Sequence, residues 1–156
     1  MYRLIVAMLL STFSLNAQVI HVNLGLDIDS VRLFVIDNQD TVYRCKVSQG
    51  EGGISNDVGS HASSLGDYLI AERYASTFGG YGYRLDGLEC TNSNARRRVV
   101  TIHGWKYVNE NQIAYGWGCI AVSHKDMKWS DQYLIDKKNV HLLVYMSKKK
   151  SEYNWE

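Results

Sequence analysis

The chain has 156 residues, with 17 Lys and Arg against 16 Asp and Glu and a formal net charge of +1. That length suits one compact domain that buries a core without disulfide staples, and 46% apolar with 12% aromatic residues exclude a disordered chain. A charge so near zero argues against nucleic acid as a partner, because neutralising phosphates needs a basic surface.

Residues Met1–Ala17 have the form of a targeting segment. Arg3 supplies the charged start, Leu4 to Leu15 an apolar stretch, and Ala17 a small residue before Gln18. The stretch is shorter than the ~20 residues that a bilayer-spanning helix needs. The expectation is a signal peptide over 1–17 and one exported domain over 18–156, periplasmic or extracellular, with no stable membrane anchor.

The rest reads mainly as strands. Gln18–Leu26 and Val31–Ile36 are apolar runs, and the polar Asp37–Asp40 leads into Thr41–Val47, so a β-hairpin is predicted there. Gly50–Ser64 is a Gly- and Ser-rich loop, long enough to suggest a functional part. Tyr68–Ala71 and Gly82–Leu88 flank a Gly79-Gly80 turn. Arg96-Arg97-Arg98 reads as a solvated run, too short for a nucleic-acid patch. Val99–Ile102 is a short β-branched strand ending at His103-Gly104. Lys125–Ile135 is the one helix, with Met127, Leu134 and Ile135 near one face. His141–Met146 is the last strand, and Lys148–Lys150 a solvated end. The predicted class is mainly β (α+β), with a single helix just after Cys119.

Three cysteines cannot all pair within one chain. Cys45 and Cys90 are open to either reading, bridged or packed, whereas Cys119 stands in a distinct setting. Gly116-Trp117-Gly118-Cys119 puts a thiol after a glycine-bracketed turn. Such a turn can aim successive N–H groups into one concavity, which a thiolate nucleophile needs for a developing oxyanion. His103, at a strand end where a loop begins, is the candidate base, and a hairpin-like return across the intervening residues would bring the two together. Cys119, His124, His103 and His61 could be gathered around a metal, but no CxxC or HxxxH spacing supports that. No metal or other cofactor is expected.

The order of further motifs resembles the murein L,D-transpeptidase catalytic domain family, relatives of the YkuD domain. The matching pieces are Ser55-Asn56, Gly59-Ser60, Ser63-Ser64-Leu65-Gly66 and Glu72-Arg73-Tyr74, then Tyr83 through Glu89, Asn92 through Arg96, and Arg98. Val99 through Gly104, Tyr107-Val108, Trp117-Gly118-Cys119 and Ala121-Val122-Ser123 follow in register, and Arg32 through Asp37 resembles the family's first strand. The resemblance implies a YkuD-like β-sandwich or barrel acting on peptidoglycan stem peptides. It implies Cys119 as nucleophile, His103 as base, and the Trp117, Gly118 and Cys119 amides as oxyanion hole. Gly104, Tyr115 and Gly116 would then border the substrate. The family usually has Arg-Ser where this chain has Tyr115-Gly116, and Pro or Phe where it has Ile120. A carboxylate anchor is therefore expected elsewhere, on Arg84 or Arg98. Two other readings follow from the departures: a weakened member that only binds stem peptides, and an unrelated Cys–His peptidase or amidase.

Overall fold

The computed structural model describes residues 18–147. The expected leader at 1–17 and the Lys148–Lys150 tail lie outside the described residues. The elements, in order, are β1 (Val19–Asn23), β2 (Leu33–Asp37), β3 (Asp40–Cys45), β4 (Gly66–Ala75), β5 (Tyr81–Gly87), β6 (Thr101–Gly104), β7 (Ile120–Val122), α1 (His124–Leu134) and β8 (His141–Tyr145). The class is mainly β with one helix shortly after Cys119, as expected, and β7 lies between the two. That helix is too short to cross a membrane, and no helix among the described residues is long and apolar enough to do so.

The eight strands form one sheet in the order β3-β2-β1-β8-β4-β5-β6-β7. Neighbours are antiparallel except β1 with β8 and β6 with β7, which are parallel. The chain leaving β3 crosses to the far edge of the sheet. There the Ser48 N–H donates to the Ala121 carbonyl at 2.8 Å, and the Gly116 N–H donates to the Gln49 carbonyl at 2.8 Å. With its edges joined this way, the sheet becomes a near-barrel around Ile20, Val22, Leu33, Leu85, Ile102, Ile120 and Leu142. Arg32 is buried behind this seam, its Nη2 donating to Gln49 Oε1 at 2.8 Å and its Nε to the Asn23 carbonyl at 3.3 Å. Burial lowers its pKa.

The β2–β3 hairpin turns on Asn38 and Gln39 at φ 50 and 73, the two left-handed residues that a type I′ turn requires. β4 outruns the expected Tyr68–Ala71 at both ends, because its polar half is held by pairing with β5 through Ala75↔Tyr81 rather than by apolar alternation. β6 begins two residues later than expected. Val99 instead takes φ 57 and is 54% exposed, an uncommon backbone state for a β-branched residue and a source of local strain. The His141–Met146 run ends the described chain but does not close the sheet, since β8 lies between β1 and β4.

Ser123 caps α1, accepting from the Asp126 N–H at 3.1 Å and donating to Asp126 Oδ2 at 2.6 Å. Met127 and Leu134 are buried as expected, but Ile135 is the C-cap and is 53% exposed. One further residue turns a helix by roughly 100°, which carries Ile135 off the core face. Asp131 docks the helix on the sheet by accepting from Arg73 at 2.7 and 2.8 Å and from the Tyr83 hydroxyl at 2.8 Å. Cys45 is buried and Cys90 exposed; both are free, so they do not bridge. Burial pushes the Cys45 thiol far above its ordinary pKa.

Candidate active site

β6 and β7 run side by side in the same direction, with Ile102 opposite Ile120 and His103 opposite Ala121. The expected hairpin-like return is therefore replaced by a crossover, residues 105–119, because a parallel pair cannot be joined by a tight turn. Alternation along the strands puts Thr101 and His103 on one face with Cys119 and Ala121, while Ile102 and Ile120 enter the core. On the first face lies a groove of ≈ 380 Å³, lined by Ser48, Phe78, His103, Trp105, Tyr115, Gly116, Trp117, Cys119 and Ala121.

His103 is buried, and its Nδ1 lies 3.0 Å from the Gly104 carbonyl. A carbonyl only accepts, so Nδ1 carries the hydrogen and Nε2 is left with a lone pair for the thiol. Phe78, reaching over from the β4–β5 turn, covers one ring face with centroids 4.5 Å apart and planes 15° from parallel. Desolvation disfavours the charged ring, but the hydrogen bond to Cys119, the bond to Gly104 and the thiolate charge outweigh it, and the His103 pKa is raised. For Cys119 desolvation again opposes charge. It is outweighed by the hydrogen bond and charge of His103 and by bonds from Thr101, so the thiol pKa is lowered. Thr101 Oγ1 donates to Cys119 Sγ at 3.7 Å and in turn accepts from the Tyr74 hydroxyl at 3.0 Å. Both shifts move the pair toward thiolate and imidazolium.

Beside the sulfur the backbone is closely packed. Gly118 has φ 102, and a Cβ there would stand 2.2 Å from the Ala62 carbonyl oxygen and 2.9 Å from Arg98 Nη2. Only glycine satisfies both the backbone angle and the space. Among the described residues, no acceptor is bonded to the amides of Trp117, Gly118 and Cys119. Successive amides without partners at a glycine turn can accept an anion. Ser48 holds the following strand, with its buried Oγ accepting from the Ala121 N–H at 3.2 Å and donating to the Cys119 carbonyl at 3.4 Å.

The structure separates the remaining expected site residues. Tyr115 and Gly116 line the groove. Gly104 orients His103 through its carbonyl and leaves room for His124, whose Nδ1 would be 2.7 Å from a Cβ at that position. Neither Arg84 nor Arg98, the expected carboxylate anchors, is among the residues that line the groove. Arg84 sits beside the Tyr74 ring, 5.2 Å from its centroid. Arg98 turns inward from its run and spends its donors on the Gly50–Ser64 loop. It bonds the Ser55 carbonyl at 2.9 Å, Ser64 Oγ at 3.3 Å and the Ala62 carbonyl. Arg98→Ala should therefore destabilise the fold by about 2–4 kcal/mol, as expected for losing a charged donor that leaves several acceptors unmet. A urea-unfolding midpoint equal to wild type would refute this role.

Of the four side chains considered as metal ligands, only Cys119 and His103 face each other. His61 pairs with Glu51 at 2.9 Å and His124 packs at Gly104. No group of three His, Cys, Asp or Glu side chains gathers among the described residues. Ser48, Thr101, Phe78 and Trp105 went unread in the sequence. Trp105, directly after His103-Gly104, and Thr101, two residues before His103 on β6, offered local cues; Ser48 and Phe78 come from separate segments and carry none.

The family described as L,D-transpeptidase catalytic domain matches residues 11–145. Similar solved structures include the L,D-transpeptidase of Xylanimonas cellulosilytica DSM 15894, with TM-score 0.55, 17% identity, and coverage of 83% of this chain and 61% of that one. The helical cell shape determining protein Pgp2 of Campylobacter jejuni gives TM-score 0.61, 15% identity, 85% and 49% coverage. L,D-transpeptidase 3 of Mycobacterium tuberculosis, solved with a faropenem-derived adduct, gives 0.56, 13%, 83% and 60%. At these identities the likeness shows the fold, and the chain spans between 49% and 61% of these three structures' lengths. No curated protein matches.

Proposed function

This chain belongs to the L,D-transpeptidase catalytic domain family, and we propose that it is an exported cysteine acyltransferase acting on peptidoglycan stem peptides. The observation that carries this reading is the meeting of Cys119 and His103 in one groove, with His103 Nδ1 held on the Gly104 carbonyl so that Nε2 is left for the thiol. The Cys119 pKa is lowered and that of His103 raised in keeping with it. The Cys119 thiolate attacks the carbonyl of the third stem residue, and the Trp117, Gly118 and Cys119 amides receive the oxyanion. As the carbon–nitrogen bond breaks, the His103 imidazolium gives its proton to the departing terminal D-residue, leaving a thioester. An amine from a second stem then attacks the thioester and yields its proton to His103, closing a cross-link and freeing the thiol. Water in the amine's place gives a carboxypeptidase instead.

Tyr115 and Gly116 bear on efficiency. The groove lining contains no Lys or Arg, so a stem carboxylate finds no bidentate partner within it. A Ser at 116 is not needed to orient the base, because the Gly104 carbonyl already does so. Incubating the purified protein with tetrapeptide muropeptides tests the reading. Mass spectrometry should detect loss of the terminal residue together with cross-linked dimers or tripeptides. Tetrapeptides recovered unchanged would overturn the proposed activity.

A further inference from the structure

Trp117 is 72% exposed, a large apolar side chain that a ligand would gain by covering. It is also supported from one side. His61 lies parallel to it, with centroids 4.6 Å apart and planes 9° from parallel, and His61 Nδ1 is held by Glu51 Oε1 at 2.9 Å. The His61 carbonyl accepts from the Gly52 N–H at 3.1 Å, and the backbone after Trp117 is fixed by Gly118 against Ala62 and Arg98. A ring backed by a second ring on one face, and still so accessible, presents its other face to solvent. We propose that this face is a stacking platform for a neutral pyranose, the N-acetylated sugar from which the stem peptide hangs.

The chemistry favours that occupant. A pyranose has an apolar C–H face that lies flat on an electron-rich ring, while its hydroxyls stay hydrated at the edges. The adjoining groove has no Lys or Arg in its lining, so nothing there favours a polyanion. Tyr115, 55% exposed, adds a second aromatic with a hydroxyl on the same lining. Reach also fits. With the third stem residue at Cys119, three extended residues lead back to the sugar over about 10 Å. Trp117 is two peptide steps from Cys119, at most about 7 Å between Cα atoms, and its long side chain covers the rest. The choice of sugar rests on the proposed function, but the platform itself does not.

The test is a titration of the full chain with β-1,4-linked N-acetylglucosamine tetrasaccharide, followed by tryptophan fluorescence, with a maltose-series tetrasaccharide alongside. A saturable blue shift is expected for the N-acetylated sugar, abolished in Trp117→Ala. It should be weakened about fivefold in His61→Ala and in the near-isosteric Glu51→Gln, in line with the energy of an aromatic pair. No saturable shift, or an equal one in Trp117→Ala, overturns the platform; equal binding of both sugars overturns its N-acetyl selectivity. In kinetics, the advantage in KM of a sugar-linked tetrapeptide over the free tetrapeptide should shrink toward unity in Glu51→Gln. Sugar binding without any tetrapeptide adduct would sink the proposed activity and leave the platform standing. An adduct without sugar binding would do the reverse.

Discussion

Replacing Cys119 with alanine is expected to abolish covalent adduct formation completely, with a carbapenem or with a donor tetrapeptide. The sulfur is the atom that bonds the acyl carbon, and Ser48, Thr101 and His103 cannot take its place from their positions. Thr101 Oγ1 is held by the Tyr74 hydroxyl, which donates to it. Ser48 Oγ is committed to the Ala121 amide and the Cys119 carbonyl. Cys45→Ala and Cys90→Ala should form adducts like wild type. Cys45 is buried with its thiol pKa pushed far up, and neither residue lines the groove. Intact-protein mass is the readout, and an adduct persisting in Cys119→Ala would remove this residue from the mechanism.

His103→Gln should lower the acylation rate by about 10²–10⁴-fold, the usual contribution of a positioned acid–base group. The sign of the pH dependence follows from the pair. As pH falls through the lowered Cys119 pKa, the thiolate is lost. As pH rises through the raised His103 pKa, the imidazolium that protonates the leaving amine is lost. Turnover should therefore be bell-shaped, with its maximum between those two limits. Alkylation by iodoacetamide needs only the thiolate, so it should rise once with pH, at a midpoint below the ~8.5 of an ordinary thiol. In His103→Gln burial still opposes the thiolate, but the compensating imidazolium is gone, so the midpoint should move upward. An unchanged midpoint would mean that His103 does not set the state of Cys119.

Much of this was readable from local pattern. The β2–β3 hairpin is encoded in a polar four-residue turn between apolar runs, and α1 in the helical spacing of Met127 and Leu134. Cys119 and His103 stood out because a glycine-bracketed thiol and a histidine at a strand end each carry a local signature. Elsewhere local pattern is silent or misleading. Val99 looks like a strand residue by its branching, yet the turn from Ala95 to Val100 sets its left-handed φ. Arg98 looks like part of a solvated run, but the Gly50–Ser64 loop brings three acceptors to it.

By itself, the sequence determined the class, most of the strands and the helix after Cys119, because each depends on residues close in the chain, and it singled out Cys119 and His103 as the candidate pair. Only the tertiary structure decided how that pair meets. β7 has three residues, too few for a periodic signal, and its parallel pairing with β6 is fixed by the crossover and by Ser48 from the opposite sheet edge. The lid over His103 comes from Phe78 in a distant hairpin, and the support under Trp117 comes from His61 in the long loop. Such contacts join segments far apart in sequence, and their energy comes from packing and hydrogen bonding across the fold, which local propensity does not record.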